Sequence, residues 1–367
     1  MMATFNKDIL RTVRQARGKS QAQLASDAKV SQAAISKIEA GLIADPSPDI
    51  IDRLAQAVDF PSSIFFEPDR SFGLPISVHG NAMYRRKAST GSRALEKLEA
   101  DLNIRLMHVR RLLAAADVEA QLPLPALDVD EYQGNIDLIA EMVRRTWLIP
   151  SGPLHNLTSY IERAGILVVE CDLSSVGVDG LTIRSLGSPP CIFIDQSAPG
   201  DRQRFTLAHE LGHLVMHSVP SPTMEDEANR FASALLMPKR DIRPYLMDKK
   251  ISLAKIAALK PIWRTSMASL IMCGQAIGSI SDTQAQYLWR QMSAMGYRRA
   301  EPESIAIERE PTRVLAELVE FHLGDLGYSL ADLAQSLHIH PDELCALYGL
   351  SQVPKRAGAG GHLTLVK

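Results

Sequence analysis

Apolar residues recur at three- and four-residue steps through most of this chain, and they cluster into strand-like runs only in a short middle stretch. Leu24 and Ala25, then Ile35 and Ile38, form the inner positions of two short helices that Ser20 and Ser31 are placed to cap. Leu95, Leu98, Leu102, Leu106, Val109 and Leu113 keep helical spacing across 92–120, which predicts one amphipathic helix. A helix is expected over about 135–147, and Ser151-Gly-Pro opens another that ends near Ala164 and Gly165. Three runs read as strands, starting at Ile166, Gly180 and Cys191. Helical spacing returns around residue 209, over 224–236, through 251–296 and through 311–350. The pattern predicts an α+β chain that is mostly α.

Punctuation divides the chain. The expected units are a helical head over 1–67, a connector and amphipathic helix over 68–133, and a mixed domain over 134–296. A helical segment over 297–353 and a Gly-rich, mobile tail over 354–367 complete them. The amphipathic helix has two candidate roles, a dimer contact or a cover for the mixed domain.

Composition narrows the class without deciding it. The 367 residues are 46% hydrophobic and 22% charged, an ordinary globular balance. The N-terminus turns polar at once and no apolar run nears the roughly 20 residues that cross a bilayer, so no secretory signal and no membrane partner are expected. The four cysteines form no CxxC pair, which fits reduced thiols in a cytoplasmic protein. Net charge is only −2, so nucleic-acid affinity must be local. Residues 7–41 supply it, with seven lysines and arginines against three acids. Residues 311–350 carry one arginine against six acids. Ser329–Leu344 echoes the apolar positions of the 20–35 stretch. Its charge would repel phosphate, so it is expected to pack or to bind a partner. His338 and His340 flank Ile339 and are read as surface residues.

The sharpest chemical signal is His209-Glu-Leu-Gly-His213. Histidines four apart lie one turn apart on one helix face, where both can reach one metal ion, and Glu210 can take a proton from metal-bound water. The five-residue string alone also fits two ordinary helix histidines. A catalytic zinc needs a third protein ligand. Glu225, Ala228, Asn229 and Ala232 share a helical face, so Glu225 is the expected ligand and Asn229 is placed to orient a histidine. Glu227 is a rival that the sequence leaves open. His217, roughly 12 Å along the axis from His209, is too far to share the ion and reads as a helix-terminal residue.

The segment RFTLAHELGHLVMH from Arg204, followed by EDEANRFA from Glu225 and LLMP from Leu235, resembles the ImmA/IrrE family of metallopeptidases over about 150–275. That resemblance implies a zincin-like fold, with helices on a small, mostly antiparallel sheet. It also implies Zn2+ held by two histidines and a glutamate, with Glu210 as general base. Members of that family cleave helix-turn-helix repressors and so release stress-response or mobile-element genes.

The pattern SQxxLA…VSxxxISxxExG across 20–41 resembles the XRE (Cro-like) helix-turn-helix family over about 5–67. The resemblance places Gln32, Ala33, Ser36 and Lys37 at base edges in the major groove and Gln21 on a phosphate, assisted by Lys19 and Ser31. A homodimer on double-stranded operator DNA is the usual route to specificity. Lys29 stands where many members have glycine, so a shifted or strained turn is expected. A helical interaction module with a solvated basic face is the plainer reading of the same segment. The leading expectation is a DNA-binding transcriptional regulator that carries a zinc endopeptidase for a repressor or antitoxin. The alternative is a non-proteolytic transcription factor or antitoxin whose metallopeptidase-like domain senses a ligand or binds a partner.

Overall fold

The computed structural model describes residues 4–67, 91–184, 188–247 and 250–350, and the backbone of 363–365. The connector over 68–90 and most of the Gly-rich tail lie outside the described residues.

The head contains α1 (Lys7–Ala16), α2 (Gln21–Asp27), α3 (Gln32–Glu39) and α4 (Pro48–Val58), closed by a 3-10 turn at Ser62–Phe66. Ser20 and Gln23 bond each other's backbone N–H in a capping box, and the Ser31 hydroxyl accepts from Ala34 N. Lys29 adopts φ 55° between these helices, so the turn keeps its register and the left-handed conformer falls on lysine itself. Arg53 steadies it by donating to the Lys29 carbonyl at 3.0 Å. Inside the head, Glu39 accepts two bonds from Arg14 at 2.6 and 2.9 Å and a third from Gln21 at 2.9 Å.

Helix α5 (Ser92–Leu113) stops short of the expected 120; it buries Leu95, Leu98, Leu102, Leu106 and Val109 of the expected stripe, leaves Leu113 half-buried, and buries a second stripe through Ala100, Ile104, Met107, His108 and Leu112. It packs against α1 on one side and the sheet domain on the other, within one apolar core. This helix covers the sheet domain, which is one of the two roles expected of it. Strand β1 (Ala116–Val118) follows it and pairs antiparallel with the tail strand β5, Leu363–Leu365.

The mixed domain opens with α6 (Ile136–Thr146) and α7 (Leu157–Arg163). Helix α7 starts later than Ser151-Gly-Pro suggested, because Gly152 takes φ 92° and gives its N–H to Asp241 at 2.7 Å. Asn156 caps the helix in its place. Strands β2 (Leu167–Cys171), β3 (Gly180–Ile183) and β4 (Cys191–Asp195) follow, in the order β2-β4-β3. β2 and β4 are parallel and β3 and β4 antiparallel, so the sheet is mixed. Next come α8 (Gly200–Met216), α9 (Met224–Leu236), α10 (Lys239–Ile242), α11 (Leu253–Trp263), α12 (Met267–Ala276) and α13 (Asp282–Ala294).

Alternation along the strands gives the sheet two buried faces. Leu167, Val169, Leu181 and Phe193 point into the core shared with α5, while Val168, Ile192 and Ile194 point into the core of α7, α8 and α9. Thr182 pairs in register with Ile192 and therefore faces α8.

The C-terminal helices are α14 (Val314–Gly324), α15 (Leu330–Leu337) and α16 (Pro341–Tyr348). The α15–α16 pair repeats α2–α3: a serine capping box at Ser329, a left-handed residue nine positions later at His338 with φ 55°, and a second N-cap at His340. The pair packs on α5 and on the back of the head, where Glu343 takes two bonds from Arg17 at 3.0 Å. His338 is not a surface residue. It is half-buried, bonded to Ser63 Oγ at 2.8 Å and Glu67 Oε2 at 3.2 Å, whereas His340 is exposed. The left-handed turn points the His338 ring inward. Among the described residues no helix is long and apolar enough to cross a membrane.

Candidate metal centre and nucleic-acid interface

Two glycines set the distances at the site. A Cβ on Gly212 would lie 3.0 Å from the Phe231 ring, so its absence lets α9 press onto α8. A Cβ on Gly180 would collide with Thr206, so β3 also lies hard against α8. Helix α8 thus carries its motif between a helix and an edge strand.

His209 and His213 stand one turn apart with their Nε2 atoms 3.1 Å from each other. From the first turn of α9, Glu225 places Oε2 3.5 Å from His209 Nε2 and Oε1 3.4 Å from His213 Nε2. One ligand atom from each of the three lies within 4.8 Å of the others. Glu227 points elsewhere: its Oε2 meets His217 Nε2 at 3.0 Å. The structure brings Glu225, and not Glu227, to the two histidines.

The far side of each imidazole is also occupied. His209 Nδ1 lies 3.0 Å from Asn229 Oδ1, and His213 Nδ1 lies 2.9 Å from His217 Nδ1. A proton on each Nδ1 satisfies these contacts and leaves both Nε2 lone pairs facing Glu225. The buried Glu225 Oε1 has no hydrogen-bond partner. Two nitrogen lone pairs and a carboxylate converging on one point repel one another unless a cation sits among them, so the donor set fits a zinc ion. The electrostatics agree. Burial works to lower the His209 pKa, but Glu225 and Glu210 overcome it and raise it. The facing His209 and His213 rings hold Glu225 well below the usual carboxylate range. Burial lowers the pKa of His217 against the pull of Glu227.

Glu210 is buried and accepts a hydrogen bond from Thr182 Oγ1 at 2.7 Å. Spacing along α8 could not reveal Thr182, because it lies on a strand 28 residues before Glu210. The role of His217 was missed for a different reason. Its place along the helix axis sets it far from the ion, whereas its non-helical cap conformation, φ −111° and ψ 98°, ends α8 while its ring reaches His213.

On the head, Gln32, Ala33 and Lys37 are exposed along α3 and Ser36 is half-buried. Gln32 donates to Gln21 Oε1 at 3.0 Å, which ties the outer end of α3 to α2. The Ser31 hydroxyl is engaged in its cap. Lys19 is bonded to Asp27 at 2.9 Å and to the Ala57 carbonyl, which draws its ammonium toward α4.

Fold and site together define a helix-turn-helix head joined to a domain with an HExxH helix on a mixed sheet. Residues 10–65 match the helix-turn-helix family model, and residues 161–270 match the peptidase M78 model described as the IrrE N-terminal-like domain. The chain therefore joins an XRE-like helix-turn-helix domain to an ImmA/IrrE-type, metallopeptidase-like domain. No curated protein matches it at a significant level.

Proposed function

We propose that this chain is a cytoplasmic, operator-binding regulator whose second domain is a zinc-dependent endopeptidase. Its substrate would be a helix-turn-helix repressor or an antitoxin-like protein, in a stress or mobile-element response. The convergence of His209, His213 and Glu225 beside Glu210 carries this reading. Zinc held by those three residues supplies an acidified water and polarises the scissile carbonyl. Glu210 accepts the proton of the attacking water and delivers it to the departing amine nitrogen. Thr182 holds the Glu210 carboxylate by donating to Oε2. Strand β3 is an edge of its sheet, so a substrate strand can pair with it and lie across α8. On the head, Gln32, Ala33, Ser36 and Lys37 read base edges, while Gln21 and Ser31 form the phosphate-facing side and Lys19 braces it through Asp27 and Ala57. Two heads of a homodimer would read half-sites about 34 Å apart.

Incubation with a candidate repressor, in the presence and absence of zinc, tests the enzymatic half. The zinc-loaded protein is expected to cleave and Glu210→Gln to leave the substrate intact while keeping its metal. Operator binding that persists with no cleavage of any candidate would instead favour a sensing or partner-binding domain.

A further inference from the structure

We infer that His217 and Glu227 act as a relay that fixes His213 as a metal ligand and tightens the site's grip on zinc. The inference rests on reading the centre as a zinc site. A metal-binding imidazole usually gives its second N–H to an acceptor, which fixes the ring's tautomer and its direction. His209 has such an acceptor in the Asn229 side-chain oxygen. The acceptor for His213 is another histidine, His217, through Nδ1. His217 Nδ1 accepts only when its own proton is on Nε2, and Glu227 secures it there at 3.0 Å. A carboxylate two hydrogen bonds away thereby selects the form of His213 whose Nε2 lone pair faces Glu225.

The surroundings make this arrangement specific. His213 and His217 are each 4% exposed, so water does not compete for the bond between them. Glu225 and Glu227 are two residues apart on α9 and so project from different faces. One turn of helix supplies both the ligand and the anchor of the relay. The two ligand histidines are consequently backed unequally, His209 by a neutral amide and His213 by a chain that ends in negative charge. That charge makes His213 the stronger donor.

Zinc affinity, measured by chelator competition on full-length protein, tests the relay. His217→Leu removes both links. His217→Asn keeps an acceptor near the position of Nδ1 and loses the contact with Glu227. Glu227→Gln keeps the geometry and removes the charge. The expected order of affinity is the parent chain, then His217→Asn and Glu227→Gln, then His217→Leu, with the last weakened roughly 10- to 100-fold. Thermal unfolding of the zinc-free proteins separates a lost relay from a damaged fold, and Glu227→Gln is expected to unfold with the parent. Parent-level affinity in both His217→Leu and Glu227→Gln would overturn the relay alone. A parent chain that binds no zinc would overturn the metal reading beneath it.

Discussion

Thr182 and Glu210 meet where the edge strand crosses the motif helix, and that contact carries a sharp expectation. Thr182→Val should lower kcat about tenfold, the rate equivalent of losing roughly 1.5 kcal/mol in a hydrogen bond to a charged group. KM and zinc affinity should hold, and Thr182→Ser should restore the rate. Steady-state kinetics on a cleaved peptide checks this, and a pure rise in KM would contradict it. The two lysines of the head separate in the same way. Lys37 is exposed on α3, and Lys37→Ala should weaken operator binding by about 1–3 kcal/mol if it contacts a base. Lys19 is bonded to Asp27 and Ala57, so Lys19→Ala should cost stability more than affinity. Titration of a labelled operator alongside thermal unfolding distinguishes the two. The ligand histidines were legible in the sequence because helical spacing alone puts them on one face. Glu225 was the leading ligand on its helical face, but Thr182 and the pairing of His217 with Glu227 were not legible, because each depends on how far one element is pressed onto another.

Helix α8 is held by more than its apolar face. Arg204, five residues before His209, is buried against Glu310, and Glu310 also accepts from Thr158 N and Oγ1 at 2.8 and 3.0 Å. Lys260 bridges Asp201 at 2.5 Å and Glu301 at 2.6 Å. The strap that carries Glu301 and Glu310 passes over Gly200, where a Cβ would meet the carbonyls of Ile307 and Glu308. Glu310→Ala would strand a buried arginine and should destabilise the fold by about 3–5 kcal/mol, measured by denaturant unfolding. A loss below about 1 kcal/mol, the scale of an exposed pair, would contradict that reading. Most elements were legible in their caps and periodicities, as at Ser20, Ser31 and the three strands. The second buried stripe of α5 was not, since one stripe already satisfied the amphipathic pattern. Neither was the inward turn of His338, which follows from a left-handed backbone conformation.

At the scale of the molecule, the sheet lies between two cores, with the candidate metal centre on the α8 side and the head and C-terminal helices on the α5 side. Glu162 joins the sides by accepting from Arg313 N at 2.9 Å and Val314 N at 3.2 Å at the start of α14. Burial pushes its pKa up from 4.5 to about 7, against the effect of those two bonds. The folded state therefore binds the proton more tightly than the unfolded chain does. This contribution to stability is present in full below pH 4.5 and is lost as pH rises toward 7. Glu162→Gln should flatten that part of the stability profile, and an unchanged slope would contradict the assignment. Neither this link nor the docking of the acidic helices on the head could be read from the sequence, because they join residues far apart along the chain.

The most direct test of the central claim is fragment mass spectrometry on zinc-loaded protein incubated with helix-turn-helix proteins encoded beside its own gene, and with itself. Defined cleavage products are expected from the parent chain and none from Glu210→Gln carrying the same zinc. Equal cleavage by Glu210→Gln or by zinc-free protein would contradict the account.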